Sequence, residues 1–189
     1  MPPRIRITRE AIVRTAVEIV RRDGAETLNA RAVAKELNCS TQPVFSNFAA
    51  MEELRGAVLG AVNELFREYV DREIAAEAYP AYKAAGMAYI RFAREEKELF
   101  KLLFMRDRSD EGTPPESEDL KKITALVQTS TGLGSGRAEL FHLEMWAYVH
   151  GIAVMTATGY LELEPELIGE MMTDAYQGMK KRYEEKEDT

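Results

Sequence analysis

Apolar residues recur every three or four positions along almost the whole of this 189-residue chain, and this spacing restricts the fold more than any other feature. Near the start the repeat includes Ile12, Ala16 and Val20. A period close to 3.6 residues predicts amphipathic helices, and no stretch has the alternation that is typical of strands. We therefore expect an all-α fold with about nine helices.

Two helices near the N-terminus have clear start and stop residues. Thr8 and Asn29 are expected N-caps, because their side chains can accept hydrogen bonds from the free N–H groups of a first helical turn. The first helix should end at Asp23-Gly24, with the glycine in a left-handed conformation. The second should end at Asn38, since asparagine also tolerates that conformation.

A third helix is expected over about residues 41–47, within the stretch "LNCSTQPVFSNF". Ser40 is its predicted N-cap. Pro43 would then lie in the first turn, where its missing N–H breaks no intrahelical hydrogen bond. Three short helices of this kind predict an N-terminal domain that covers residues 1–50.

The remainder, residues 51–189, is predicted to form a larger helical domain. It opens with a long helix over about 51–77, and a polar linker with two adjacent prolines covers 106–119. The other expected helices cover about 80–94, 95–105, 116–130, 137–160 and 166–185.

Composition and charge limit the classes of partner. No run of 18 apolar residues is present, so no membrane-spanning helix is expected, and no apolar run follows the basic N-terminal residues as a secretion signal requires. The single Cys39 fits a reducing cytoplasm better than a disulfide framework. The net charge is −7, but residues 1–55 hold nine Lys or Arg and seven Asp or Glu, a balance of +2. The basic residues are therefore concentrated in the N-terminal part, where they fit contact with nucleic acid and, on charge alone, equally fit an ordinary solvated helix.

The second and third helices have the arrangement of a helix-turn-helix motif, in which the second helix of the motif enters the DNA major groove. Val44 and Phe48 would face the core, and Phe45 would lie against the DNA backbone. Gln and Asn can bond adenine through two hydrogen bonds, and Thr or Pro can touch a thymine methyl group. The residues expected to face the groove are Thr41, Gln42, Pro43, Ser46 and Asn47. A helical hairpin that is packed for structure alone, with these polar residues facing water, has the same pattern.

Residues 8–54 resemble the N-terminal DNA-binding domain of the tetracycline-repressor (TetR) family of bacterial transcriptional regulators. The resemblance rests on Thr8-Arg9-Glu10, Gly24, and Glu52-Glu53-Leu54, and on Asn29, Arg31, Val33, Ala34, Ser40, Phe45 and Phe48. "WAYVHG", residues 146–151, also resembles a Trp-x-x-x-His-Gly sequence found near the start of dimer-forming helices in some members. Together with the arginine-rich N-terminus, the expected DNA-binding residues are Arg4, Arg6, Asn29, Arg31, Ser40, Thr41, Gln42, Pro43, Phe45, Ser46 and Asn47.

The chain departs from the usual family pattern at positions that contact DNA. The family usually has a tyrosine where Phe45 stands and a lysine where Met51 stands, and both of those residues bind phosphate. Asn47 replaces a common histidine or tyrosine, and Asn38 replaces a turn glycine. Arg4 and Arg6 would then supply contacts to the backbone or the minor groove.

An effector site is expected in the larger domain, because the stretch 140–155 is apolar on nearly all sides and also carries histidine and glutamate. Such a mixture is typical of pockets for amphipathic organic molecules. Packing of an ordinary core would use the same residue types. The expected ligand-binding residues are Met87, Phe100, Phe104, Met105, His142, Met145 and Trp146.

A homodimer is expected from small residues near the end of the same stretch, together with an amphipathic last helix. Two helices from each chain would form a four-helix interface across a two-fold axis. The expected interface residues are His150, Gly151, Val154, Met155, Thr158, Ile168, Met172 and Tyr176. His142 and His150 are eight positions apart, which does not suit a shared metal ion, so no metal or cofactor is expected.

These features predict a cytoplasmic, homodimeric DNA-binding regulator, most simply a repressor that leaves a palindromic operator when a small molecule binds. One alternative is a helical ligand-binding or protein-interaction module that has lost operator binding. Another is a small helical enzyme that uses His142, Glu144 or His150 as acid or base. No nucleophile motif or phosphate-binding loop supports an enzyme.

Overall fold

The computed structural model describes residues 7–109 and 118–185. These residues form nine α-helices and no strand, which confirms the predicted fold class. A short 3-10 turn at Ala25–Thr27 separates the first two helices. In chain order the helices are α1 (Arg9–Asp23), α2 (Ala30–Glu36), α3 (Gln42–Asn47), α4 (Met51–Ala75), α5 (Ala81–Glu95), α6 (Lys97–Phe104), α7 (Glu118–Thr131), α8 (Ser135–Ala157) and α9 (Pro165–Glu185).

Packing divides the chain into two compact units. The first comprises Met1–Arg67 and Glu96–Arg106, and the second comprises Glu68–Glu95 and Asp107–Thr189. The predicted DNA-binding segment, residues 1–50, lies inside the first unit, which also contains α6 and the first part of α4. Arg4 and Arg6 lie outside the described residues.

Local hydrogen bonds explain where the helices of the first unit begin. The Thr8 hydroxyl accepts a bond from the N–H of Ala11, at 3.2 Å, so Thr8 caps α1 as predicted. The Asn29 side-chain oxygen accepts from the N–H groups of Arg31 and Ala32, at 3.1 and 3.0 Å, and caps α2. Both caps satisfy backbone donors that a helix start leaves free.

Two predicted details of these boundaries are wrong. Gly24 has φ 89° and ψ 162°, so its backbone is extended with positive φ and does not form a left-handed helical cap. Ser40 does not cap α3, because Thr41 occupies the N-cap position in a helical conformation, with φ −72° and ψ −13°, and makes no side-chain capping bond. Pro43 is still in the first turn, where it displaces no helical hydrogen bond.

The core of the first unit collects one apolar face from each short helix. Ile12, Val33, Val44 and Phe48 are at most 1% exposed. Burial of such side chains contributes roughly 1.5–3 kcal/mol each and fixes α3 against α1 and α2. α6 also packs on α1, where Arg21 Nε donates to Glu96 Oε2 at 2.7 Å.

The second unit is a helical bundle in which α8 packs against α5 and α7, and α9 packs against α5 and α8. Its buried side chains include Phe92, Val127, Phe141 and Ile168. The end of α4 is joined to α5 by an ion pair between Glu73 Oε2 and Arg91 Nη1, at 2.7 Å, in which the Glu73 side chain is buried. Within the described segments, no helix has both the length and the apolar character that a membrane crossing requires.

Candidate nucleic-acid interface, effector region and dimer surface

The helix-turn-helix begins with α2 and reaches α3 through a tight turn. Asn38 has φ 49°, the left-handed conformation predicted for it, and the N–H of Cys39 bonds the carbonyl of Ala34 at 2.9 Å. This turn takes four residues between the end of α2 and Thr41. It also lets Val44 enter the core while the start of α3 stays at the surface.

α3 has one buried face and one exposed face. Val44 is fully buried, whereas Phe45 is 52% exposed. Ser40, Gln42 and Ser46 are exposed, and Thr41, Pro43 and Asn47 are partly exposed. The residues expected to meet DNA therefore lie on the surface of the first unit.

Several of these polar side chains already bond their own backbone. Ser46 Oγ donates to the carbonyl of Gln42, and Asn47 Nδ2 donates to the carbonyl of Pro43, both at 2.8 Å. Asn29 uses its oxygen as the α2 cap, and its Nδ2 donates to the carbonyl of Thr27 at 3.0 Å. Asn29 therefore has an evident local role in starting α2, besides any contact with DNA.

The exposed side of α2 carries two cations one helical turn apart. Arg31 was expected from the sequence, and Lys35 follows it at the i+4 position, also exposed. Residues at this spacing lie on the same side of a helix. Lys35 is not among the residues that the sequence predicts to contact DNA, although the i, i+4 spacing of the two basic residues places it beside Arg31.

The end of α3 is enclosed by a set of contacts that the sequence did not reveal. The Arg9 Nη1 atom lies 2.6 Å from the carbonyl oxygen of Asn47 and 2.9 Å from Glu53 Oε1. The Arg9 guanidinium also lies over the Phe48 ring, 4.0 Å from its centroid. Glu53 Oε2 accepts a bond from the N–H of Ala49 at 2.7 Å. Chiefly this backbone bond, and then Arg9, lower the pKa of Glu53. We call Arg9 and Glu53 the α3 clasp.

The expected effector residues are divided between the two units. In the first unit, Phe100 is fully buried, and Phe104 contacts Phe100 and Phe66 at ring distances of 5.1 and 5.3 Å. Met105 is 42% exposed. The aromatic residues of α6 therefore have packing partners inside the first unit.

In the second unit, Met87 and Met145 are buried and His142 is half-buried. His142 Nδ1 shares a hydrogen bond with the Tyr82 hydroxyl at 3.1 Å. Burial lowers the pKa of His142 and raises that of Tyr82, so both groups are neutral at pH 7. A neutral polar pair beside apolar side chains is the kind of lining found in sites for amphipathic ligands.

A second tyrosine–histidine pair lies farther along α5 and α8. The Tyr89 hydroxyl and His150 Nδ1 are 2.8 Å apart, and Tyr89 is buried. The Trp146 ring stacks on His150, with centroids 4.9 Å apart and an interplanar angle of 19°. Trp146 itself is 39% exposed, so the Trp-x-x-x-His-Gly sequence lies at the surface of the second unit.

The exposed side of α8 is an apolar stripe at helical spacing. Leu140 and Leu143 are 50% and 56% exposed. His150, Gly151, Val154 and Met155 are partly exposed and Thr158 is exposed, as a dimer surface requires. Leu140 and Leu143 were not among the expected interface residues, although positions 140, 143, 147, 151, 154 and 158 follow the steps of three and four that define one helix face.

Two of the predicted interface residues lie elsewhere. Ile168 and Met172 of α9 are 2% and 3% exposed, so they belong to the core of the second unit and leave almost no surface for another chain. Tyr176 is partly buried, and its hydroxyl donates to the carbonyl of Ser130 at 3.0 Å. The last helix therefore turns a larger part of its apolar face inward than its sequence suggested.

Comparison with known proteins agrees with this geometry. The family model described as "Tetracyclin repressor-like, C-terminal domain" matches residues 82–176. The HTH-type transcriptional regulator YobS of Bacillus subtilis (strain 168) is 22% identical over 171 residues, which cover 89% of this chain and 88% of that protein.

Two solved structures share the fold. A TetR-like transcriptional regulator from Rhodococcus sp. RHA1 superposes with a TM-score of 0.68 at 18% identity, covering 95% of this chain and 98% of that one. A TetR-family member from Streptomyces coelicolor A3 has a TM-score of 0.63 at 19% identity, covering 88% and 96% of the two chains. These two likenesses show the fold, and the family model, which matches half of the chain, shows that the chain belongs to the TetR family of transcriptional regulators.

Proposed function

We propose that this regulator is a cytoplasmic repressor that binds a palindromic operator as a homodimer and is released by a small amphipathic molecule. The observation that carries the proposal is the two-sided character of α3, where Val44 is buried and Gln42 and Phe45 are exposed. A helix anchored in this way can present side chains to a groove without losing its packing.

The dimer is supported by the apolar stripe of α8. Leu140 and Leu143 are neighbours on one helix face and both are exposed, and contiguous apolar patches are typical of surfaces that another molecule covers. A two-fold dimer would bring two copies of α3 to one face of a duplex, about 34–36 Å apart for adjacent turns of DNA. Two half-sites related by the same symmetry make a palindrome.

Release by an effector is supported by the Tyr82–His142 pair and by Met145, which is buried in the cluster against which Tyr82 packs. Methionine side chains adapt to ligands of different shape, and the polar pair can orient a single polar group. An effector that prefers the DNA-free state by about 1–3 kcal/mol would lower operator affinity roughly 5- to 150-fold. Trp146 is the only tryptophan, so its fluorescence can report the binding of amphipathic compounds.

The recognition role is tested with duplexes selected from a random library by the unaltered protein. Gln42→Ala should lower affinity for the selected duplex by about 1–3 kcal/mol, the usual value of a contact to a base edge, while its affinity for an unrelated duplex stays the same. Gln128→Ala, on the exposed side of α7, is the control. Fluorescence anisotropy at several salt concentrations measures both affinities.

Two outcomes would contradict this proposal. If Gln42→Ala binds the selected duplex as tightly as Gln128→Ala does, α3 does not read base edges. If the unaltered protein forms a dimer but shows no salt-dependent binding to any duplex, the alternative of a ligand-binding or protein-interaction module is correct.

A further inference from the structure

The α3 clasp surrounds the last residue of the recognition helix and the two residues after it. Arg9 contacts Asn47 and Phe48, and Glu53 contacts Ala49. Arg9 is the first residue of α1, and Glu53 lies in the first turn of α4. The clasp therefore joins the start of one helix and the start of another to the end of α3.

α3 depends on such contacts because it is short and has few stabilising interactions of its own. It has six residues and no side-chain cap at its start. The polar bonds of Ser46 and Asn47 return to the backbone of the same helix, so they do not fix its orientation. Val44 and Phe48 anchor the buried side, and the clasp acts on the end that leads into α4.

The opposite charges of Arg9 and Glu53 neutralise each other at the surface of the first unit. Arg9 and Glu53 side chains are each 43% exposed, so their ion pair is screened by water and contributes little to global stability. Their geometric effect is larger, because one guanidinium meets a carbonyl, a carboxylate and an aromatic ring at the same time. An arginine held in this way is not available as a general phosphate-binding cation.

We propose that Arg9 and Glu53 are positioning residues for operator recognition, which fix the exit of α3 and keep the Arg9 guanidinium engaged within the domain. This inference rests on the proposed DNA-binding function. It predicts two linked effects of removing Glu53. Loss of the Glu53 carboxylate lowers sequence discrimination, because the Ala49 N–H loses its charged partner and Arg9 loses one of its three contacts. The same loss raises affinity for unrelated DNA, because the charge of Arg9 is no longer neutralised and can attract phosphate.

The test compares Glu53→Gln with Glu52→Gln. Both substitutions remove one negative charge from the first turn of α4, but Glu52 pairs with Arg55 at 3.3 Å and takes no part in the clasp. Affinities for the selected duplex and for an unrelated duplex are measured across a range of salt. In Glu53→Gln the ratio of the two affinities should fall about tenfold, comparable to the loss of discrimination at one base pair.

The salt dependence separates positioning from a simple change of charge. For the unrelated duplex, the slope of log K against log salt should become steeper by about 0.9 for each phosphate that Arg9 newly contacts in Glu53→Gln, in excess of any change in Glu52→Gln. Equal slopes and equal affinity ratios in the two variants would overturn the proposal.

Arg9→Lys is a second variant that keeps the positive charge. Lysine has no planar guanidinium that can lie over the Phe48 ring while one nitrogen meets both the carbonyl and the carboxylate. The affinity ratio should therefore again fall about tenfold, while the melting temperature stays close to that of the unaltered protein. An unchanged ratio would show that Arg9 acts only through its charge, which contradicts the proposal. If the unaltered protein selects no duplex at all, the proposed function itself fails, and the positioning role fails with it.

Discussion

At the scale of single residues, two of the four departures from the family pattern replace residues that bind phosphate in other members, and their physical consequences differ. Phe45 is 52% exposed, and Met51, the first residue of α4, is partly exposed. A phenol at the first position would add a neutral hydrogen-bond donor, whereas an ammonium at the second would add a charge. The salt dependence of operator affinity can therefore distinguish a tyrosine at position 45 from a lysine at position 51.

We expect Phe45→Tyr to increase operator affinity without changing its salt dependence, because a neutral hydroxyl releases no counterion. Met51→Lys should increase affinity and also steepen the salt slope by about 0.9 per subunit if the new ammonium meets a phosphate. Anisotropy titrations between low and moderate salt measure both quantities. Parallel salt dependence in the unaltered protein and in Met51→Lys would exclude a phosphate near position 51.

His142 gives the second unit a stability that depends on pH. Burial lowers the pKa of His142 from its usual value of 6.5. The unfolded chain therefore binds a proton more readily than the folded chain, so the contribution of His142 is complete above about pH 6.5 and is lost as pH falls toward the lowered pKa. Urea unfolding at pH 7.5 and pH 5 should show a smaller loss of stability in His142→Gln than in the unaltered protein.

His150 provides an internal comparison for this experiment. Burial lowers its pKa as well, so His150→Gln should also reduce the pH dependence, and the double variant should have the weakest dependence of all. If the stability of His142→Gln and that of the unaltered protein fall in parallel between these pH values, His142 is not protonated on unfolding.

At the scale of helices, the exit of α1 requires glycine. Gly24 combines φ 89° with ψ 162°, a region that other residues adopt only under strain. A Cβ atom there would also lie 3.3 Å from Glu98 Oε2 of α6. We expect Gly24→Ala to lower the free energy of unfolding by about 1–3 kcal/mol, measured by urea denaturation.

Gly56 in α4 is a control at which alanine should change the free energy of unfolding in the opposite direction. It lies inside a helix, and a Cβ atom at this position would meet nothing within 4 Å. Gly56→Ala should therefore stabilise the protein by about 0.5–1 kcal/mol, because alanine loses less conformational freedom in a helix. Equal effects of the two substitutions would mean that the backbone at Gly24 is not as constrained as its dihedral angles indicate.

The helices themselves were predictable because their signals are local. The capping roles of Thr8 and Asn29 depend on bonds that span two or three residues, and the period of apolar residues is visible in any window of the sequence. α3 begins one residue later than the sequence predicts. Its position is determined by the burial of Val44 and Phe48 and not by a cap at Ser40.

Contacts between distant segments could not be predicted in the same way. Arg9 and Glu53 are 44 positions apart in the sequence, and no periodic pattern connects them. The burial of Ile168 and Met172 depends on which side of α9 meets α5 and α8, and periodicity alone does not give that direction. For the same reason, the interface residues expected from the sequence include only part of the exposed side of α8.

At the scale of the whole molecule, the proposed dimer makes stability depend on concentration. Leu143 is 56% exposed on the stripe of α8, and a carboxylate there would be costly to bury between two chains. Leu143→Glu should yield a folded monomer by sedimentation, with helical content unchanged. Its melting temperature should not vary with concentration, whereas that of the unaltered protein should rise with concentration.

Leu120→Glu on α7 is the matched control, since Leu120 is 40% exposed and lies outside the α8 stripe. It should remain dimeric and retain operator affinity. Leu143→Glu should lose most of that affinity, because a monomer presents one copy of α3 instead of two. A dimeric Leu143→Glu variant would show that the two chains associate through another surface.

If α3 enters the major groove as proposed, the hydrogen bond from Ser46 Oγ to the carbonyl of Gln42 affects which DNA sequence α3 favours. Its only proton is directed back into the helix, so toward DNA this hydroxyl retains lone pairs alone. Lone pairs attract the exocyclic amino groups of adenine and cytosine and repel the exposed oxygens of guanine and thymine. Ser46 would thus divide the four bases into those that carry an amino group in the major groove and those that carry a carbonyl.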